Sequence, residues 1–530
     1  MEYFEIEKDN KKENKNKNKN KNKNKEKQKK YLIWFLILII PIIFIIFYNL
    51  SKKQNISKEQ KLNDKSLIKN KEEIKTNNSN KYNIESIKKN PYLYTEYILT
   101  LLKKNQNLDL SKFKKNINKT KQKIYNITNN KNENKDLYKI LSTIYGAFLG
   151  DSMGSFCEFK PFNKNNHLSI FNINSPSIFK PGQITDDSEM GMSQAFGIMD
   201  NSNYKTLNNN LIYYYYLIWY NSNPLDIGFT TRNALNIINL EKNKINITND
   251  IFTKEIKNII YNKNNGSLAN GLLMRISPLL SWFYIVNKKY INEILNSKSY
   301  EKYYELYKKI FIEIEKDSQL THPNRENAVV GSIYIFIGLC SMEQKYNSKE
   351  ILDMVKILFK HNEFNRIKEE KILKNYFINI INDFEKNDFI EDKYFSDLSN
   401  LMGYYLHAFK LTLYYLYNFE KMKKNINIKN IYNHIIFQIC DFGGDTDTNA
   451  AIVGMIIGPL IGLENFDKKF FEIFLNFYSE NRIIYTNVFM YFYAKYLIEI
   501  GNDSNNYNMS NNKINFNFYK MINEFINKEL

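Results

Sequence analysis

Two short stretches combine carboxylates and hydroxyls at a density that suits no hydrophobic core. ITDDSEMGM at 184–192 presents Thr185, Asp186 and Asp187 in succession, and DFGGDTDTNAA at 441–451 presents Asp445, Thr446, Asp447 and Thr448 behind two glycines. Carboxylates clustered in this way repel one another unless cations neutralise them. Asp and Thr oxygens form a hard donor set, suited to Mg²⁺ or Mn²⁺ rather than zinc. Adjacent side chains on a regular helix diverge by about 100°, so consecutive ligands fit a helix start better than its interior. Thr and Asp are also common helix caps, and one such cluster alone reads as capping. Two clusters with mirrored content, each beside Gly, favour metal ligation by Thr185, Asp186 and Asp187 with Asp445, Asp447 and Thr448. The Asp445-x-Asp447-x-Asn449 spacing imitates an EF-hand loop, but Ala450 and Ile456 stand where that loop needs Gly and Glu.

Three further stretches carry Gly amid apolar residues. GAFLGDSMGSFCEF (146–159) spaces Gly146, Gly150 and Gly154 four apart and ends near Glu158. On a helix those glycines share one face, which predicts close packing of another backbone. GSLANGLLMRISPLL (266–280) is a Gly/Ser/Asn loop entering a helix, with Arg275 one turn in. Free N–H groups there could hold a phosphate, although a lone loop of this kind is usually just a turn. DIGFTTRNAL (226–235) and LTHPNRENA (320–328) add Arg232, His322 and Arg325 beside turns, each a weak signal alone.

The elements that must position these residues are helical. Leu137, Ile140, Leu141, Ile144 and Phe148 recur at steps of three and four. The same spacing marks 211–220, 304–315, 328–340, 351–360, 403–417, 451–463 and 486–499, and strand alternation is scarce, which predicts an all-α domain over about 135–500. The charged stretch 361–395 reads as a surface excursion, and 501–530 as a C-terminal extension. Upstream, 1–30 is a Lys/Asn-rich tail expected to be disordered. Residues 31–50 (YLIWFLILIIPIIFIIFYNL) carry no charge over a bilayer's length, which predicts a single-pass membrane protein anchored there; a cleaved signal peptide is the alternative. Lys is denser before this segment than after it, which weakly favours a cytosolic N-terminus. Residues 51–130 read as a polar linker, with one short helix possible at 91–104.

Charge sharpens the division. The first 145 residues hold 34 Lys against 15 Asp and Glu, a surplus equal to the whole chain's +19, and the remainder balances at 41 against 41. A nucleic-acid groove in the folded part is therefore not expected. All 18 Gly and all five Arg lie at 146 or beyond, so in a chain biased toward Asn and Lys they mark stereochemical need. Three scattered Cys and five His disfavour a disulfide framework and a His- or Cys-based metal site.

Taken in order, these blocks resemble the ADP-ribosylglycohydrolases, which include the dinitrogenase reductase-activating glycohydrolase. GDSMGSFCEF looks like the family's first block, TDDSEM its second, NGLLMRISP its third and GGDTDTNAA its last, over roughly 138–465. The resemblance implies a compact all-α fold of crossed helices, a two-metal centre (Mg²⁺ or Mn²⁺), and hydrolysis of the bond joining ADP-ribose to a protein side chain or of an ADP-ribose derivative. By position, Thr185, Asp186 and Asp187 match the ligands of one metal, and Asp445, Asp447 and Thr448 the second set. Glu158 matches a glutamate that guides the attacking water, with Asp186 and Asp447 sharing the catalytic role. Gly266, Ser267, Asn270 and Gly271 match a diphosphate cradle, His322 a histidine near the ribose, and Asp151 and Arg275 fall among the substrate contacts. Ser188 replaces the usual Thr. The GS-x-x-NG-x-x-MR spacing looks closest to members acting on serine-linked ADP-ribose and its polymers; arginine-linked and small-molecule substrates stay open. A monomeric catalytic domain is expected. The alternatives are a catalytically silent ADP-ribose binder and a membrane-tethered structural protein.

Overall fold

The structure is a computed structural model that describes residues 86, 89–90, 92–102, 109–132, 134–175, 177–386, 395, 398–505 and 518–527. In chain order the helices begin with α1 (Tyr92–Leu101), α2 (Leu110–Asn129), α3 (Lys135–Gly154), α4 (Asp186–Met199), α5 (Asn209–Asn221), α6 (Phe229–Leu235) and α7 (Lys254–Asn264). There follow α8 (Ser277–Val286), α9 (Lys288–Ser297), α10 (Tyr300–Ser318), α11 (Arg325–Glu343), α12 (Ser348–Leu358), α13 (Glu363–Arg366) and α14 (Lys368–Lys386). The last are α15 (Tyr405–Asn425), α16 (Ile428–Phe442), α17 (Thr446–Ile461), α18 (Lys468–Asn476), α19 (Phe489–Asn505) and α20 (Phe518–Asn527). No strand occurs among the described residues; a lone bridge pairs Ala269 with Tyr404. The chain is all-α, as the periodicity predicts.

The Asn bias has a local use. Asn134, Asn208, Asn324, Asn347 and Asn427 each stand at an N-cap and accept a backbone N–H from the first turn, satisfying a donor the helix cannot. Asn347 and Glu350 complete a reciprocal capping box at α12.

The centre of the fold is the contact between α3 and α17, which run antiparallel. A Cβ on Gly146 would overlap the carbonyl oxygen of Gly454, on Gly150 that of Ala450, and on Gly154 that of Thr446. From the other side, Gly454 and Gly458 meet the carbonyls of Gly146 and Ser142. The two backbones touch, and the C-terminal end of α3 is laid beside the N-terminal end of α17.

Three expectations change. Among the described residues no helix is long and apolar enough to cross a membrane, and the 31–50 segment lies outside those residues, so the single-pass reading is withdrawn. The stretch expected as a surface excursion instead buries Phe364, Phe377, Ile381 and Phe384 through α13 and α14, although 387–394 lie outside the described residues. The stretch read as a polar linker carries α1 and α2. Asp109 caps α2, whose Phe113, Ile117 and Ile124 are buried, and Asn116 Nδ2 donates to the Phe525 carbonyl at 2.8 Å. The tail at 1–30 also lies outside the described residues.

Gly150→Ala should destabilise the chain by about 2–3 kcal/mol, because the helices must part to admit one methyl group. Gly266→Ala, which meets open space, should cost less than about 0.5 kcal/mol. Urea unfolding of the two variants beside the parent checks this; equal midpoints would remove the close approach as a constraint.

Candidate functional site

The two acid motifs lie at helix starts. Thr185 is extended and caps α4, its Oγ1 accepting from Asp187 N at 3.4 Å. Asp151 reaches over from α3 and accepts from Thr185 N at 3.1 Å and Ser188 N at 3.2 Å, so a buried carboxylate closes the same helix N-terminus. Thr185 Oγ1 donates to Asp187 Oδ2 at 3.0 Å, and Thr448 Oγ1 to the same oxygen at 3.3 Å. Asp187 Oδ1 is buried without a hydrogen-bond partner, as is the Ser188 hydroxyl.

A clasp of two backbone bonds brings the other half in. Gly443 and Gly444 hold φ of 77° and 79°, conformations that favour glycine. Phe159 N donates to the Gly444 carbonyl at 2.8 Å, and Gly444 N to the Lys160 carbonyl at 2.9 Å, which sets Glu158 beside Asp445. Thr446 Oγ1 donates to the Gly154 carbonyl at 2.8 Å and pins α17 to the end of α3. Oxygens of Asp151, Asp187 and Asp447 lie within 4.8 Å of one another, and so do those of Glu158, Asp445 and Asp447. Asp447 belongs to both groups. Such oxygen donors are of the kind that can hold a hard divalent cation.

Asp186 faces a residue that the sequence reading passed over. Its Oδ2 accepts from Gly228 N at 3.4 Å, and the Asp226 carboxylate is the neighbouring charge that raises its proton affinity most. The signal for Asp226 is the Asp-x-Gly turn opening DIGFTTRNAL; Arg232 of the same stretch is exposed. Among the described residues, none of Asp151, Glu158, Asp186, Asp187, Asp226, Asp445 and Asp447 makes an ion pair.

Burial and mutual repulsion set the electrostatics. Burial, then Asp445 and Asp226, push the Glu158 carboxyl up to about 9. Burial outweighs the hydrogen bonds from Thr185 and Ser188 at Asp151 and brings it to about 6. Asp186, Asp187 and Asp447 are held well above the usual carboxylate range by burial and by neighbouring carboxylates.

The 264–275 segment wraps one side. Asn270 Nδ2 donates to Asp445 Oδ2 at 2.6 Å, so this residue of the expected cradle touches an acid directly. Ser267 Oγ pairs with Thr230 Oγ1 at 2.8 Å, while Gly266 faces open space. Gly271 lies under the His322 ring, which leaves no room for a Cβ. Thr321 Oγ1 accepts from Arg275 Nη1 at 2.6 Å and pairs with His322 Nδ1 at 2.8 Å. Burial and then Arg275 keep this histidine's pKa well below its usual value, so the imidazole is neutral. Arg275 is fully buried, bonded through Nε to Asp317 Oδ2 at 3.0 Å and through Nη1 to the Gly271 carbonyl at 3.2 Å. It braces the loop from beneath and does not reach the acidic cluster.

A match to the ADP-ribosylglycohydrolase family spans residues 132–478. The chain belongs to this family. A protein of Acanthamoeba polyphaga mimivirus described as an ADP-ribosyl glycohydrolase is similar at 28% identity over 329 residues, covering 60% of this chain and 86% of the relative. A solved structure described as an ADP-ribosylglycohydrolase-related protein complex covers 69% of this chain and 99% of its own, at 14% identity and a TM-score of 0.40, a likeness too loose to carry weight. Membership supports a hydrolase acting on ADP-ribose derivatives.

The raised carboxyls make stability depend on pH. They bind protons more tightly when folded, so stability should fall as pH rises from the ordinary carboxyl range through about 6 (Asp151) to about 9 (Glu158). Urea midpoints in chelator should be lower at pH 8 than at pH 5, with added Mg²⁺ or Mn²⁺ recovering the difference. A flat profile would mean that the acids are relieved in some other way.

Proposed function

We propose that this chain is a metal-dependent hydrolase that removes ADP-ribose from modified protein side chains. The observation that carries the reading is the buried, unpartnered Oδ1 of Asp187, one of seven carboxylates that make no ion pair among the described residues. A hydrogen-bond network alone would leave that oxygen costly; a divalent cation would satisfy it.

Thr185, Asp186 and Asp187 would hold one ion and Asp445, Asp447 and Thr448 the other. Thr185 and Thr448 already converge on Asp187 Oδ2 from opposite helices. Bound ions would supply Lewis-acid polarisation of ribose and water oxygens and would offset four of the carboxylate charges. Asp151 caps α4 through Thr185 N and Ser188 N. Its oxygens also stand with those of Asp187 and Asp447, so it would both hold the start of α4 and face an ion bound there.

Glu158 is half-buried beside Asp445; once bound ions offset the neighbouring carboxylates that raise its proton affinity, it would be ionised and placed to take the proton from an attacking water. Positive charge developing at the anomeric carbon would be stabilised by the remaining carboxylates. Asn270 orients Asp445; the N–H groups of Ser267, Ala269 and Asn270 are already bonded, so the diphosphate would approach this loop at the exposed Gly266. Neutral His322 sets its Nε2 against Gly271, on the inner side of that loop.

The test uses the full chain with peptides carrying ADP-ribose on serine or on arginine, following released ADP-ribose by mass spectrometry. Release should require Mg²⁺ or Mn²⁺, stop in chelator, and be abolished in Asp445→Asn/Asp447→Asn. The preferred peptide identifies the linkage. Absence of release, with ADP-ribose still binding in a calorimeter, would replace the hydrolase by a silent ADP-ribose binder.

A further inference from the structure

Sixteen large apolar side chains are exposed among the described residues, and singly such exposure is ordinary. Their distribution is not. Five of them adjoin the acidic cluster: Phe159 follows Glu158, Leu225 precedes Asp226, Phe229 follows Gly228, and Leu401 and Met402 precede Gly403. They are between 49% and 79% exposed. Gly403 belongs to the cluster's wall, for its carbonyl accepts Asn270 N at 2.8 Å, and a Cβ on it would lie 3.7 Å from Asp445 Oδ2. Three separate parts of the chain thus carry exposed apolar residues immediately beside, in sequence, residues of one carboxylate site.

Phe159 adds a second observation. Its φ is 60°, a left-handed conformation unfavourable for a bulky side chain, and its ring is 66% exposed. The bond from its N–H to the Gly444 carbonyl holds it there. A backbone held at that cost, presenting an aromatic ring to water, gains nothing for the core.

We infer that this apolar rim receives the polypeptide that carries the ADP-ribose, and that the favoured acceptor has apolar residues beside its modified side chain. The inference rests on the hydrolase reading above. With the scissile bond at the acids, the leaving group would depart past the segments that carry Phe159, Phe229 and Leu401. A small polar leaving group would not reach these side chains, and a polar ADP-ribose polymer would not match them. A peptide with Leu or Phe on either side of the modified residue would.

The experiment compares three substrates on the full chain: a peptide with ADP-ribose on one side chain and Leu/Phe flanks, the same peptide with Ser/Asn flanks, and the ADP-ribosylated amino acid alone. Parent protein is set beside Phe229→Ser/Leu401→Ser and, separately, Phe159→Asn, which keeps a residue tolerant of left-handed φ. KM for the apolar-flanked peptide should be lower than for the polar one by about tenfold. The variants should lose that advantage while kcat, and cleavage of the amino-acid adduct, stay as in the parent. Equal KM values in the parent, or variants impaired alike on all three substrates, would overturn the rim. Binding of fluorescent peptides is measured in parallel. If nothing is cleaved yet the apolar-flanked peptide binds tighter, the hydrolase reading falls and the rim stands; if binding shows no preference, the rim falls too.

Discussion

The acidic site depends on two helix backbones in contact. Where α3 meets α17, no side chain intervenes at Gly146, Gly150, Gly154, Gly454 or Gly458. That approach places Asp151, near the end of α3, beside Asp447, in the first turn of α17. It also gives Thr446 a carbonyl on α3 to bond with. The starts of α4 and α17 then point at the same few oxygens. Their N–H groups and positive dipole ends are the first relief for carboxylates that, among the described residues, make no ion pair.

The relief is partial. Seven carboxylates in one place remain unfavourable unless they bind protons or a cation. The fold therefore keeps a site whose cost is tolerated because the surrounding core is large, and whose occupancy by protons or by a cation changes how firmly α3, α4 and α17 are held together. Arg275 and Asp317 show the contrasting solution. There a fully buried guanidinium is matched to a carboxylate and two carbonyls, and the pair serves only to fix the loop above it.

Much of this was legible before any coordinates. Asp186 opens α4 and Asp445 caps α17, where consecutive ligands have to sit, and the four-residue glycine spacing announced a close helix contact. The scarcity of Arg also carried meaning, since Arg275 and Arg482 both form buried ion pairs, with Asp317 and Glu189. Other features left no periodic trace. Asp226 is a single acid in a turn, and only the fold brings it to Asp186. Arg275 sits one turn into its motif whether it faces substrate or core, because sequence distance does not say on which side of a loop a long side chain lies. In α2, Phe113, Ile117 and Ile124 form a buried stripe, but dense Lys and Asn on the other faces make the segment read as linker.

The same stripe bears on where this fold ends. Phe113 packs edge-on against Phe525 of α20, at 5.2 Å between ring centroids, and Phe518 of α20 stacks on Phe196 of α4 at 3.9 Å. Tyr493 of α19 bonds to the Pro278 carbonyl. None of α1, α2, α19 or α20 falls within the family's 132–478, yet they cover the core on which α4 rests. A chain trimmed to the family boundaries would retain all seven acids and leave Phe196 facing water. The unit defined by kinship is smaller than the unit that folds, and recombinant work guided by the first would meet insolubility that says nothing about catalysis.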